Sequence, residues 1–231
     1  MIRDGVREAV RLLIELDPAL FDAAVRSLGV TVVAVTFASV VGIAAGLLLA
    51  RGRFFFTNSL VLLFRLGMSV PTVLIGLLCF GVFSRRGALG GLDLLYTPWA
   101  IVVGEFLLAL PIITTLTHGA IKKLDPRVFE TALTLGAGKV QRALTYLNEA
   151  RLAILLGVLT AFSRCFTELG IAMMVGGNIA GRTRTLTTAT AMETARGEFS
   201  QGVAMCMILL LIALGVTVSI AFLAQQEDAS R

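Results

Sequence analysis

The stretch SLGVTVVAVTFASVVGIAAGLLLA, residues 27–50, contains no charged residue and decides the fold class. A helix needs about 20 mostly apolar residues to cross the hydrocarbon core of a bilayer. Of the 231 residues in the chain, 57% are hydrophobic and 15% are charged. A soluble domain carries about 25% charged residues, so the composition predicts an integral membrane protein.

Four more stretches meet the same length criterion, and together they predict an all-α, polytopic transmembrane helical bundle. The five expected spans lie at 25–50, 59–84, 98–117, 152–175 and 201–224. Pro71 and Pro111 are expected to kink the second and third spans. The chain 1–231 is therefore interpreted as a single transmembrane domain.

The N-terminal residues 1–20 combine alternating charges with apolar residues at helical spacing. Val6, Val10, Leu13 and Ile14 would share one face, which is typical of an amphipathic helix at the membrane interface. A charged helix packed on its own protein explains the pattern equally well. The segment lacks the short apolar core and small-residue cleavage site of a signal peptide.

The long polar loop 118–151 contains every lysine of the chain, Lys122, Lys123 and Lys139. Cytoplasmic loops carry an excess of lysine and arginine, so this loop is expected on the cytoplasmic side of the cell membrane. Five spans then put the N-terminus and the segment 176–200 outside and the C-terminus inside. No basic stripe interleaved with aromatic residues occurs, which argues against nucleic acid as a partner.

Three cysteines, Cys79, Cys165 and Cys206, lie in apolar runs. They are interpreted as small core residues, not as disulfide or metal ligands. No nucleophile–base constellation is recognisable in the sequence, so an intramembrane enzyme is not expected.

A short helix is expected inside the 118–151 loop, because Asp125-Pro126 combines a capping residue with proline at the first helical position. The helix would carry Glu130 and Ala132, followed by Gly136. This E-x-A-x-x-x-G pattern resembles the EAA signature of permease subunits of ABC importers. The resemblance implies that Glu130, Ala132 and Gly136 couple to a cytosolic ATP-binding subunit. A surface helix with a glycine stop is the alternative.

The tract FTELGIAMMVGGNIAGRTRTLTT, residues 166–188, follows the apolar part of the fourth span. Gly176, Gly177 and Gly181 allow close backbone approach to a ligand, with Asn178 between them. A helix is expected to begin near Thr183, and its free N–H groups would favour an anion. Arg182, Arg184 and the threonine hydroxyls, Thr187 among them, would add donors for a tetrahedral oxyanion. A helix-capping turn with solvated arginines is the alternative.

Two charged residues fall within the expected fourth span, Arg164 and Glu168. An arginine in the centre of a membrane helix costs about 2.5–3.5 kcal/mol on insertion scales, so it is expected to face protein or water. Being four residues apart, the two side chains can pair. They either line a substrate path or hold the bundle together. Glu105 could likewise pair with Arg65 or line the path.

The tracts SRxxxExGIAMMVGGNIxGxTRTLTTA, ExxxGEF, LGMSVPTVLIGL and LALPIITTL resemble permeases of the tungstate and molybdate branch of ABC importers, the tungstate type most closely. The resemblance implies a type I importer fold, a homodimer in the lipid bilayer, a cytosolic ATPase and an external oxyanion-binding protein. It also implies that the anion path is lined by the set Arg164, Glu168, Gly176, Gly177, Asn178, Arg182, Thr183, Arg184 and Thr187.

ATP is expected to be used by the partner, so the chain itself needs no cofactor. Residues 176–183 come close to a nucleotide-binding loop, but that loop works between a strand and a helix of a soluble domain. Three other functions stay open at this point: a sulfate or phosphate permease, an ion-coupled transporter that uses Arg164 and Glu168, and a membrane scaffold that moves no solute.

Overall fold

The computed structural model describes residues 4, 6, 7, 10, 11, 14, 18–52 and 55–229, and this part of the chain is helical with connecting turns. The helices are α1 (Pro18–Arg51), α2 (Thr57–Gly67), α3 (Thr72–Phe83), α4 (Pro98–Lys122), α5 (Pro126–Thr134), α6 (Lys139–Glu149), α7 (Arg151–Phe166), α8 (Leu186–Ala195) and α9 (Phe199–Ala229). A 3₁₀ turn covers Gly90–Leu92 and a π-helix covers Ala172–Gly176. The all-helical fold class is confirmed.

The predicted amphipathic segment at the N-terminus falls mostly on residues outside this description. Val6, Val10 and Ile14 are helical and exposed. Leu13, the fourth residue of the expected apolar face, lies outside the described residues, as do most others before residue 18.

Helix α1 packs along α4 through a stripe of small residues spaced four apart. Ala34, Ala38, Gly42, Gly46 and Ala50 are all buried. Small side chains let two helix backbones approach closely, as in G-x-x-x-G pairs of membrane helices.

The two helices run parallel. A Cβ atom built on Gly42 would lie 3.0 Å from Ile113, and one built on Gly46 would lie 2.7 Å from Thr117. Because α1 and α4 point the same way, residues 52–97 must carry the chain back between them.

The second predicted span is not one kinked helix. Helices α2 and α3 meet at 99°, and Pro71 lies at the N-cap of α3. Proline disfavours helical conformation in the residue before it and offers no N–H donor, so α2 ends at Gly67 and a new helix starts after Pro71. In contrast, α4 continues through Pro111 without a break in its assignment.

The fourth predicted span, 152–175, is also interrupted. Helix α7 ends at Phe166, and the chain resumes as a π-helix at Ala172. The interrupted segment still follows α4 in the opposite direction, because Gly157 faces Leu116 and Gly176 faces Ile101.

By length and composition, α1, α4 and Phe199–Val218 within α9 can each cross a membrane, and the bent α2–α3 pair would make a fourth span. Five spans were expected, with kinks in the second and third, and in the described part of the chain the second and fourth are broken. Cys79 and Cys165 are buried as predicted, whereas Cys206 is exposed, which corrects its assignment to the core.

Candidate functional site

The break after α7 places the predicted ion pair at its centre. The Arg164 guanidinium donates to a carboxylate oxygen of Glu168 at 2.7 Å. The two side chains differ in environment, since Glu168 is 3% exposed and Arg164 is 44% exposed. The buried member of the pair is therefore the anion, and the cation reaches the surface of the chain.

Glu168 also caps the helical turn that follows it. Its second carboxylate oxygen accepts hydrogen bonds from the N–H groups of Gly170 at 2.8 Å and Ile171 at 3.3 Å. Its backbone carbonyl accepts a hydrogen bond from the Thr187 hydroxyl at 2.9 Å. The Glu168 side chain and carbonyl thus contact Arg164, the two N–H groups and Thr187, and they join α7, the π-helix and α8.

The glycine-rich turn depends on left-handed backbone conformations. Gly177, Asn178 and Gly181 all have positive φ, at 70°, 50° and 70°. A Cβ atom on Gly177 would also lie 2.7 Å from the ring of Tyr96. The residue types in the turn are therefore required by its backbone conformation.

Thr183 is fully buried inside the turn and does not face solvent. Its hydroxyl donates to the Gly176 carbonyl at 2.6 Å and accepts from the Ile179 N–H at 3.0 Å. Arg184 donates to the side-chain oxygen of Asn178 at 3.2 Å. The turn itself therefore uses the donor of the Thr183 hydroxyl, and the placement of Thr183 on the anion path stays a prediction.

The start of α8 is likewise not an open anion site. The helix begins at Leu186, after Thr185, and not at Thr183. The N–H groups of Thr185, Leu186 and Thr188 donate to the hydroxyls of Thr188, Ser27 and Thr185, respectively. The expectation of free N–H groups is therefore wrong at these three positions, since side-chain caps already satisfy them.

Arg182 and Arg184 differ in exposure. The Arg182 side chain is exposed, whereas Arg184 is half-buried beside Asn178. The Arg182 carbonyl accepts a hydrogen bond from the Arg26 guanidinium at 2.7 Å. Arg26 is in turn paired with Asp22 at 2.6 Å. Sequence reasoning missed this link between α1 and the turn, because Arg26 and Arg182 lie far apart in the chain.

Glu105 is buried in α4, next to the hydroxyl of Thr31 in α1. It forms no ion pair with Arg65 in the described part of the chain, and Arg65 is exposed. The suggested Glu105–Arg65 pair is therefore absent, and Glu105 belongs to the interior of the bundle.

At the end of the bundle opposite the glycine-rich turn, α5 begins as predicted. The Asp125 carboxylate accepts a hydrogen bond from the Arg127 N–H at 2.8 Å, with Pro126 at the first helical position. The helix ends at Thr134, Gly136 follows two residues later with a φ of 70°, and the Ala137 N–H donates to the Ala132 carbonyl at 3.0 Å. This C-terminal motif needs glycine because of its left-handed conformation.

The three predicted coupling residues have different environments. Glu130 is exposed, whereas Ala132 is buried against Ile121 and Tyr146. Together α5 and α6 present an exposed apolar surface, which we call the coupling surface: Leu133, Leu135, Val140 and Leu144. Leu135 is 80% exposed, and exposed apolar surface of this kind marks sites of protein interaction.

Arg51, the last residue of α1, contacts α5 and α6, the two helices that we call the coupling segment. Its guanidinium carbon lies 3.4 Å from the centre of the Phe129 ring and 5.1 Å from that of Tyr146. The two rings pack edge to face at 4.8 Å. Sequence reasoning missed this contact too, because a cation over an aromatic face leaves no local pattern when the partners lie in different helices.

The structure is a polytopic helical bundle. It carries a glycine-rich, arginine-bearing turn at one end and an exposed amphipathic helix pair at the other. This arrangement is that of the class of membrane transport subunits. The chain belongs to the family "Binding-protein-dependent transport system inner membrane component", whose family model matches residues 42–229.

The relatives of the chain are transport permeases, not enzymes. It is 35% identical over 230 residues to the tungstate uptake system permease protein TupB of Peptoclostridium acidaminophilum, covering 98% of this chain and 99% of the relative. It is also 35% identical over 212 residues to TupB of Campylobacter jejuni, covering 92% of this chain and 89% of the relative. The molybdenum transport system permease protein ModB of Escherichia coli is 29% identical over 212 residues, covering 87% and 92%.

The fold is similar to that of a solved importer. An inward-facing structure of the MetNI methionine ABC transporter matches with a TM-score of 0.71 at 19% sequence identity. The match covers 91% of this chain and 95% of the matched chain. The predicted type I importer fold is confirmed by this similarity.

Proposed function

We propose that the chain is the permease subunit of an ATP-driven importer that moves a tetrahedral oxyanion, tungstate or molybdate, across the cell membrane. The observation that carries the proposal is the 35% identity to a tungstate permease over 98% of the chain. A molybdenum permease is a more distant relative at 29% identity. Tungstate is therefore the preferred cargo and molybdate the second.

The exposed Arg164 guanidinium supports a path between two copies of the chain. Arg164 lies next to Cys165, whose thiol donates to the Glu105 carbonyl at 3.6 Å, about 10 Å along α4 from its first residue. An arginine facing lipid costs up to about 2.5–3.5 kcal/mol, the value for the centre of a membrane helix. A second copy of the chain and a water-filled path between the copies would cover the guanidinium, so a homodimer is proposed.

The anion path is proposed to combine Arg164 with the glycine-rich turn 177–185, which we call the outer turn because it is proposed to lie on the outer side of the membrane. Arg182 and Arg184 would offer donors to an oxyanion released by an external binding protein, whereas the Thr187 hydroxyl already donates to the Glu168 carbonyl and would help to hold the turn. Gly176, Gly177, Asn178 and Thr183 would act by holding the turn, since their conformations and hydrogen bonds are used within it. Glu168 would position Arg164 through their ion pair.

The coupling surface is proposed to dock on a separate cytosolic ATP-binding subunit, which uses the ATP. Its exposed leucines and valine would enter a groove, and Glu130 would pair with a basic residue at the edge of that groove. Ala132 and Gly136 would fix the angle of α5. The loop 118–151 and the C-terminus would then be cytoplasmic, and the N-terminus and the segment 176–200 outside.

The proposal is tested by elemental uptake in cells that lack the chain, with and without its restoration. Tungsten, molybdenum, sulfur and phosphorus are measured by mass spectrometry at submicromolar to micromolar supply. We expect tungsten or molybdenum uptake to return with the wild-type chain and to stay absent with Leu135→Asp, which places a charge in the coupling surface. Restoration of sulfur or phosphorus uptake alone would overturn the cargo. Full uptake with Leu135→Asp would overturn ATPase docking at this surface.

A further inference from the structure

Helix α1 contacts both functional ends of the molecule. At its beginning, the Ser27 hydroxyl accepts a hydrogen bond from the Leu186 N–H at 2.9 Å, and the Arg26 guanidinium donates to the Arg182 carbonyl. At its end, the Arg51 guanidinium lies over the rings of Phe129 and Tyr146. The first set of contacts reaches the outer turn and the second reaches the coupling segment.

The two sets of contacts lie on opposite sides of the membrane. Ser27 and Arg51 are 24 residues apart in the continuous helix Pro18–Arg51, which corresponds to roughly 36 Å at 1.5 Å per residue. The hydrocarbon core of a bilayer is about 30 Å thick. One uninterrupted helix therefore spans the distance between the turn and the coupling segment.

Two other routes between the two ends are interrupted in the structure. The α2–α3 pair bends by 99° at Pro71, and the chain after α7 changes to a π-helix beyond Phe166. Helix α4 is continuous and packs against the small-residue stripe of α1 so closely that Gly46 has no room for a Cβ atom. Helix α1 is thus a continuous helix, backed by α4, that holds side-chain contacts at both ends.

We infer that α1 transmits motion of the coupling segment to the outer turn, with Arg51 as the positioning residue at one end and Ser27 as the positioning residue at the other. The inference rests on the proposed function, because it needs an ATPase that moves α5 and α6. Arg51 suits this task since its planar guanidinium can stack on an aromatic face. When α5 shifts, Phe129 and Tyr146 shift the end of α1.

The test uses the complete importer in proteoliposomes, with the permease, its ATPase and its loaded binding protein. ATP hydrolysis is measured without and with the binding protein, and ATPase copurification reports assembly. Arg51→Ala and Ser27→Ala are each expected to lower the stimulated rate by about fivefold, which corresponds to about 1 kcal/mol, while copurification is unchanged.

Arg51→Lys, which keeps the charge without the planar stack, is expected to have a stimulated rate between those of Arg51→Ala and wild type. Lys122→Ala, an exposed cation at the same end of the bundle, is the matched control and should retain the wild-type rate.

The double variant Arg51→Ala/Ser27→Ala separates transmission from two local defects. If the two sites act independently, their fivefold losses of the stimulated rate are expected to multiply to about 25-fold. If both substitutions break one connection, the double variant should lose only about fivefold. A 25-fold loss, wild-type stimulation in both single variants, or loss of ATPase copurification with Arg51→Ala would each overturn the inference. Absence of any stimulation in the wild-type importer would instead overturn the proposed function.

Discussion

The close approach of α1 to α4 predicts opposite effects for two glycines of the same helix. A Cβ atom on Gly46 would lie 2.7 Å from the Thr117 Cβ atom and 2.9 Å from the Thr114 carbonyl oxygen. A Cβ atom on Gly29 would meet nothing within 4 Å, and Gly29 is exposed. Gly46→Ala therefore tests the helix contact, and Gly29→Ala is its matched control.

The expected magnitudes follow from these contacts. Carbon atoms pack best at about 3.5–4.0 Å, and the Thr114 oxygen belongs to the backbone of α4, so the two helices must separate to admit the methyl group. Overpacking costs about 1–3 kcal/mol, and the upper part of that range, about 2–3 kcal/mol, applies where a backbone atom must move. The higher helix propensity of alanine returns at most about 1 kcal/mol. We expect Gly46→Ala to destabilise by about 1–2 kcal/mol and Gly29→Ala to stabilise by up to about 1 kcal/mol.

Thermal unfolding of the detergent-solubilised permease measures the difference. At about 2–4 °C per kcal/mol for a chain of this size, Tm should fall by about 2–8 °C in Gly46→Ala and rise by up to about 4 °C in Gly29→Ala. If Gly46→Ala were as stable as Gly29→Ala, the parallel packing of α1 on α4 through these glycines would be incorrect.

Three further substitutions test the remaining sites. Arg164→Ala leaves the buried Glu168 carboxylate with its backbone donors alone; we expect a loss of about 2–3 kcal/mol, read as a fall in Tm that Arg164→Lys partly restores. In Gly177→Ala the new methyl group is strained by the positive φ and by contact with Tyr96, whereas in Gly181→Ala only the positive φ is unfavourable. Gly177→Ala should therefore show the lower Tm, and the reverse order would contradict the turn geometry. Gly136→Val should lose ATPase copurification while Gly136→Asn keeps it, because asparagine tolerates the left-handed region; equal behaviour would show that φ is not the constraint.

The membrane helices were predictable where apolar length alone decides them. The spans at 25–50 and 98–117 correspond to α1 and α4, although both helices extend further, to Pro18 and to Lys122. The additional turns include charged residues, Asp22 in the first, where it pairs with Arg26, and Lys122 in the second. A criterion based on hydrophobicity stops where the hydrocarbon core ends, whereas the helix continues into water.

The interruptions were only partly visible in the sequence. Pro71 indicated a kink, and the observed bend of 99° is larger than a kink within one helix. The break after α7 had a weaker signal, in which Glu168 precedes Gly170 and Ile171 and caps their N–H groups. An acidic residue inside an apolar run was interpreted as an ion-pair member, and its capping role became apparent only with the backbone positions.

At the candidate site, residue types were predictable and their partners were not. The sequence indicated that Arg164 and Glu168 could pair, and they do. It could not distinguish threonines that cap helices from threonines that face a path, because the local partners of Thr183, Thr185 and Thr188 depend on where the turn ends and α8 begins. The contacts of Ser27, Arg26 and Arg51 join residues more than 75 positions apart in the chain, beyond the reach of local spacing.

The central claim is that this chain moves tungstate or molybdate with energy from a separate ATPase. Tungsten accumulation in proteoliposomes that contain the permease, the ATPase and the binding protein tests it most directly, with molybdate, sulfate and phosphate as competitors. We predict accumulation that requires ATP and the ATPase and that molybdate suppresses more strongly than phosphate does. Accumulation that persists without the ATPase and follows a proton gradient, or no accumulation of any of these oxyanions, would contradict it.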